Sequence, residues 1–200
     1  MRTVVALCAA VLLAYTVSWA DLLNDPSFEE PYANNWGSWD DGNIIQPFDW
    51  GWEHSGTGMV GMWWWAGLWQ NFTATPGDIY ELTAYAYIPS DDPAGTGVYG
   101  VVALEWYDSS DSKIGTWTSQ PIDTAHYSVD QWLEINSGNH TAPAGTAYGR
   151  AVVRINNNGS GAGRVYYDDV DVGLIPEPSV ISLMAGGLLG ALGLRRMRRT

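Results

Sequence analysis

From Ile79 to Ile88 the chain sorts its residues by parity. Tyr80, Leu82, Ala84, Ala86 and Ile88 fall on one side, and Glu81, Thr83, Tyr85 and Tyr87 on the other. Successive side chains of an extended strand point to opposite faces, whereas a helix would scatter these residues around its axis. The segment is therefore a strand with one apolar face, and it needs a second layer to cover that face. Gly97 to Asp108 repeats the pattern, with Val102, Leu104 and Trp106 on one face and Glu105 and Tyr107 on the other. Further short runs are bounded by turn residues. Leu22 to Glu30 reads as a first strand entering a turn at Asp25-Pro26, and Pro31 to Asp49 as a long loop without period. Leu68 to Thr73 ends at the turn Pro76-Gly77-Asp78. Lys113 to Thr118 returns after a turn at Asp108 to Asp111, and Gln131 to Ile135 is short. Tyr148 to Ile155 and Arg164 to Val172 flank an Asn/Gly/Ser-rich stretch and read as a hairpin. About eight to ten strands with regular turns predict an all-β, two-sheet antiparallel jelly-roll sandwich.

The two ends do not fit that pattern. Arg2, the apolar Val4 to Val17 and the small-x-small site Ser18-Trp19-Ala20 form a signal peptide over 1–20. The one cysteine, Cys8, lies inside it, so the body at 21–174 has no disulfide and depends on its core. The chain closes with Pro176-Glu177-Pro178, an uncharged run over 179–194, and Arg195-Arg196-Met197-Arg198-Arg199. As a helix that run would be about 24 Å long, slightly short for a bilayer core of about 30 Å. The arginines would stay cytoplasmic and the body outside.

Pro-Glu-Pro, a short transmembrane helix and an arginine cluster, in this order, resemble the PEP-CTERM sorting signal of exopolysaccharide-exporting bacteria. The resemblance implies an exosortase that acts near Pro176, Glu177 and Pro178, with Arg195, Arg196, Arg198 and Arg199 completing the signal. The protein would be anchored in the inner membrane until processed, then reach the cell surface or extracellular matrix. A plain C-terminal anchor is the alternative.

All 22 acidic residues lie within 21–177, against Lys113, Arg150, Arg154 and Arg164 there. A body this acidic repels nucleic acid and anionic polymers and suits a neutral glycan or divalent cations.

Several pieces fall in the order of the CenC-type carbohydrate-binding modules, the galactose-binding-like jelly rolls. Leu23-Asn24-Asp25-Pro26-Ser27-Phe28-Glu29 is similar to their opening. Ser55-Gly56, Trp69-Gln70, Pro76-Gly77-Asp78-Ile79-Tyr80, Leu104-Glu105-Trp106-Tyr107-Asp108, Trp132 and Ala142-Pro143-Ala144-Gly145 follow, and Val165-Tyr166-Tyr167-Asp168-Asp169-Val170 closes the series. Asp25-Pro26 departs from the family's first turn, and the Trp-rich stretch Met59 to Trp69 has no counterpart in it. The resemblance implies polysaccharide binding. It also implies a structural calcium tying the first strand to the last through Glu29, Asp168 and Asp169, since calcium takes hard oxygen ligands. Alternation makes only one of the two aspartates a buried ligand, and Asp169 is favoured.

Exposed aromatic rings stack on pyranose faces. Trp36, Trp39, Trp50, Trp52 and the run Trp63-Trp64-Trp65 are too many for one core, and three consecutive strand residues cannot all face inward. Trp36, Trp39, Trp50, Trp52 and Trp64 are the expected ligand-binding residues. Trp106, Trp117 and Trp132 are assigned to the core. His54, His126 and His140 have no metal-ligand spacing, and no Gly-x-Ser-x-Gly elbow or cysteine nucleophile is present. The chain is therefore read as an exported, non-catalytic, polysaccharide-binding protein. A structural matrix protein is the alternative, and a small glycan-active enzyme the weaker one.

Overall fold

The computed structural model describes residues 22–95, 97–159 and 161–175. The expected signal peptide over 1–20 and the expected sorting segment from Pro176 onward lie outside the described residues.

Among the described residues, eleven strands form two antiparallel sheets. β1 (Gly37–Trp39), β4 (Gly67–Thr73), β10 (Tyr148–Asn157), β6 (Val98–Tyr107) and β7 (Lys113–Thr118) make one sheet in the order β1-β4-β10-β6-β7. β2 (Ile44–Ile45), β3 (Val60–Trp63), β11 (Arg164–Ile175), β5 (Ile79–Tyr87) and β8 (Trp132–Asn136) make the other, in the order β2-β3-β11-β5-β8. β9 (His140–Thr141) extends the pairing on β5. The only helical pieces among the described residues are two 3-10 turns, Tyr32–Asn34 and Asp41–Asn43. This is the jelly-roll sandwich that the alternation predicts.

The parity of each strand selects its inner face. Tyr80, Leu82, Ala84 and Ala86 of β5 are buried, and they share one core with Val102, Leu104 and Trp106 of β6 and Ala151, Val153 and Ile155 of β10. Tyr167 joins the two layers. Its hydroxyl donates to the Arg154 carbonyl at 2.7 Å and accepts the Val101 N–H at 3.0 Å. Complete burial raises its pKa far above the ordinary phenol value.

Three sequence expectations are corrected here. Leu22 to Glu30 is not a strand. Pro26 has no N–H, Asp25 and Phe28 adopt positive φ, and the Asp25 carboxylate accepts the Glu29 and Glu30 amides, so the segment coils. It still reaches the last strand, through Leu22 N–H to the Val172 carbonyl and Val170 N–H to the Pro26 carbonyl. The loop expected at 31–49 contains β1 and β2. β10 and β11 are not a hairpin. They lie in opposite sheets. Each has an apolar face, and the two faces meet across the core rather than side by side.

Candidate functional site

The outer faces of the two sheets carry the aromatic residues that the core does not use. On the five-stranded sheet, strand register sets Asn71, Arg150 and Glu105 in one line across β4, β10 and β6. The flanking lines place Trp69 beside Val152, and Tyr148 beside Tyr107. Of these, Trp69, Glu105, Tyr107, Arg150 and Val152 line a trough of about 190 Å³ together with Trp39 from β1. The Arg150 guanidinium lies 4.2 Å from the Trp69 ring centre and 4.5 Å from that of Tyr107. Its Nε donates to Asn71 Oδ1 at 2.8 Å. Tyr107 and Tyr148 stack with parallel rings 5.1 Å apart.

The Glu105 carboxylate, nearly buried, accepts from Lys113 Nζ at 2.9 Å and from the Tyr107 hydroxyl at 2.6 Å. Burial works to raise its pKa, but these bonds, with the charges of Lys113 and Arg154, hold it below the usual carboxylate range. Tyr107 is pushed up to about 12, by burial first and then by its bond to Glu105. Arg154 also lines the trough, and its buried Nε has no hydrogen-bond partner among the described residues. Three of the body's four basic side chains thus gather on one sheet face.

On the six-stranded sheet, Tyr166, Tyr87 and Trp132 form one line across β11, β5 and β8. Residues 47–58 fold over it. Trp52 packs edge-on to Tyr166 at 4.9 Å and against Tyr87 at 4.8 Å, and its carbonyl accepts the Trp132 Nε1–H at 2.8 Å. Trp50 lies above Tyr166 and is half exposed. The Glu53 carboxylate accepts the Trp50 and Gly51 amides.

The three carboxylates expected to ligate calcium all meet this folded-over segment. Glu29 accepts the Thr57 and Gly58 amides and the Thr57 hydroxyl. Asp168 Oδ2 accepts the His54 and Ser55 amides at 2.9 and 3.1 Å. Asp169 pairs with the His54 ring and accepts the Ser55 hydroxyl. Alternation fails at this point. A bulge between Asp168 and Asp171, with Asp169 at φ 45°, turns both carboxylates toward the same segment. Asp168, not Asp169, is the buried one. Burial, and then the charge of Asp169, raises its pKa to about 7. Among the described residues no three His, Cys, Asp or Glu side chains group to hold a metal. In this arrangement N–H and O–H donors occupy the carboxylates, which therefore anchor a loop. This donor set does not fit an ion without rearranging.

The structure distributes the expected ligand-binding tryptophans unevenly. Trp39 lines the first trough, and Trp50 and Trp52 stand on the opposite sheet. Trp36 is a correction. It is 4% exposed, packs on Phe28 and donates to the Asp25 carbonyl, because the coiled segment 22–30 closes over it. Trp64 is well exposed at the β3–β4 turn with Trp65, and it lines neither trough. Trp106 is core as expected and Trp117 packs partly against it, but Trp132 belongs to the outer aromatic line. Sequence reasoning missed Trp69, Tyr107, Tyr148, Arg150 and Arg154 as site residues. The signal was parity: Tyr148, Arg150 and Arg154 share the outward side of β10, as Glu105 and Tyr107 share that of β6.

No protein-family profile and no curated protein matches this sequence. Solved structures do match in fold. A family 61 carbohydrate-binding module in complex with β-1,4-galactotriose superposes with TM-score 0.55 at 15% identity, over 78% of this chain and 99% of its own. A family 16 carbohydrate-binding module gives 0.53 at 14%, over 76% and 99%. A cyclase from Fischerella sp. gives 0.55 at 14%, over 78% and 96%. At such identities the likeness is one of fold, shared by binding modules and an enzyme.

Proposed function

We propose that this protein is a non-catalytic polysaccharide-binding module, exported and sorted through its C-terminal signal, and that the Trp39–Trp69–Tyr107 trough is its binding face. The observation that carries the proposal is a trough in which the rings of Trp39, Trp69 and Tyr107 stand beside the polar groups of Arg150, Arg154 and Glu105. The Arg150 guanidinium lies over two of these rings, and its Nε donates to Asn71. A pyranose laid against such rings packs its apolar face on them, while the neighbouring polar groups take its hydroxyls. The carbohydrate-binding modules of the same fold support this reading. The trough holds one carboxylate, Glu105, already engaged by Lys113 and Tyr107, whereas glycoside hydrolysis ordinarily needs two.

The exported address follows from residues 1–20 and 176–200, with an exosortase and the inner membrane as its partners. A structural calcium at Glu29, Asp168 and Asp169 would have to displace the donors of residues 54–58. Melting with excess calcium and with chelator tests this. The exposed Trp64 and Trp65 favour a second role in protein contacts within a matrix.

The test of the main reading is pull-down of the full chain, in mild detergent, on insoluble galactan, xylan and the host's own exopolymer. Saturable retention is expected, and with Trp50 on the opposite sheet changed to Ala so that only this face is read, Trp69→Ala should weaken it about tenfold, roughly 1.4 kcal/mol. Retention unchanged in Trp69→Ala and in Arg150→Ala on that background refutes this face.

A further inference from the structure

The opposite sheet carries a trough of about 410 Å³, larger than the first. Trp50, Trp52 and Tyr87 line it, and Asp91, Asp130 and Arg164 stand at its rim. Its construction differs from that of a core remnant. Trp50 is half exposed, yet its backbone is fixed by Glu53, and the loop that carries it is fixed by Glu29, Asp168 and Asp169. Trp52 is clamped between Tyr87 and Tyr166, and its carbonyl is held by Trp132. A half-exposed indole on so constrained a loop loses little conformational entropy on binding. The volume lies within the range of small-molecule sites.

The rim selects the ligand class. Asp130 accepts the Ser90 amide and the Tyr87 hydroxyl, while Asp91 is paired with Arg164 and 77% exposed. Carboxylates beside aromatic faces accept sugar hydroxyls and repel uronates and other anions. The first trough has the opposite balance, with Arg150, Arg154 and Lys113 around one carboxylate.

We infer that the Trp50–Trp52–Tyr87 trough is a second, independent site for a neutral saccharide, so that one chain engages two polysaccharide strands from opposite faces of the sandwich. The site stands on its own residues, and the bridging role rests on the glycan-binding reading of the first trough. Because the sites occupy the outer faces of two stacked sheets, one strand lying along either face does not reach the other. The protein then acts as a cross-linker of the polymer that it binds.

The test uses the full chain in mild detergent, with soluble galactan and xylan as probes for precipitation and neutral trisaccharides of the same sugars for stoichiometry by calorimetry. Two equivalents per chain and precipitation of polymer are expected. Trp50→Ala and, as a milder change at the rim, Asp91→Asn should each weaken one class of site, about tenfold for Trp50→Ala. Trp50→Ala should also abolish precipitation while retention on insoluble polymer persists through the first trough. Trp50 is half exposed, so its removal should leave the melting curve nearly unchanged. Loss of all binding in Trp69→Ala overturns the second site and leaves the first intact. Loss of all binding in Trp50→Ala, with Trp69→Ala unaffected, removes the first site and keeps the second. One equivalent per chain that neither Trp50→Ala nor Asp91→Asn affects overturns the inference. Self-association of the chain that Trp50→Ala abolishes without any sugar binding also overturns it, and assigns the trough to a second copy of the protein.

Discussion

Asp168→Asn exposes how the Trp50–Trp52 loop is held. In the folded protein the Asp168 carboxyl is fully buried and its pKa is raised to about 7, by burial first and then by the neighbouring Asp169 charge. In the unfolded chain it titrates near its ordinary value of 3.8. Between these limits the folded state keeps a proton that the unfolded state releases. The stabilisation is therefore complete below about pH 4 and is lost as pH rises through 7. The full interval corresponds to roughly 4 kcal/mol at 1.36 kcal/mol per pH decade. Asparagine does not titrate. Its carbonyl still accepts the His54 and Ser55 amides, but its NH2 group faces the Asp169 N–H, which the carboxylate had accepted at 2.7 Å. That lost bond costs about 1–3 kcal/mol at any pH. Urea denaturation of both proteins from pH 4.5 to 8, in chelator and followed by tryptophan fluorescence, should give converging curves. The variant is less stable at the acid end, and the gap closes or reverses near pH 8. Groups common to both proteins cancel in the difference. A constant gap across the range would refute the buried-proton account.

Other substitutions test the remaining structural claims. Tyr167→Phe strands the Val101 N–H and the Arg154 carbonyl between the sheets and should cost about 1–3 kcal/mol in denaturant unfolding. Leu104→Ala opens a cavity in the fully buried core and should cost about 2–5 kcal/mol. Glu105 has a depressed pKa, so its contribution is present above the ordinary carboxylate value and lost as pH falls through the lower folded one. Glu105→Gln should flatten the acid limb of a stability–pH profile below about pH 4.5, and an unchanged limb would count against the Lys113–Tyr107 clamp. If donors rather than an ion hold residues 54–58, excess calcium should leave the melting midpoint where chelator leaves it, whereas a marked rise would support calcium at Glu29, Asp168 and Asp169.

The candidate site was legible in part. An excess of tryptophan over what one core can bury marks Trp39, Trp50 and Trp52 as outward rings, and the structure places them so. The same argument could not separate Trp36, which is buried only because the segment 22–30 coils over it. Nor could it show that Trp132 faces outward, since its strand is short and its register with Tyr87 is a tertiary fact.

The sequence by itself determined the class of fold and the inner faces of β5 and β6, because a period of two is a local property of the chain. Tertiary structure alone decided which sheet each strand joins, and so parted β10 from β11 despite their adjacency in sequence. It also decided the bulge at Asp169, which turns two consecutive carboxylates to one loop against strand alternation. The two troughs have the same origin. Arg150 meets Glu105, and Tyr166 meets Tyr87, only through pairings between strands far apart in the chain, and no local pattern encodes such a register.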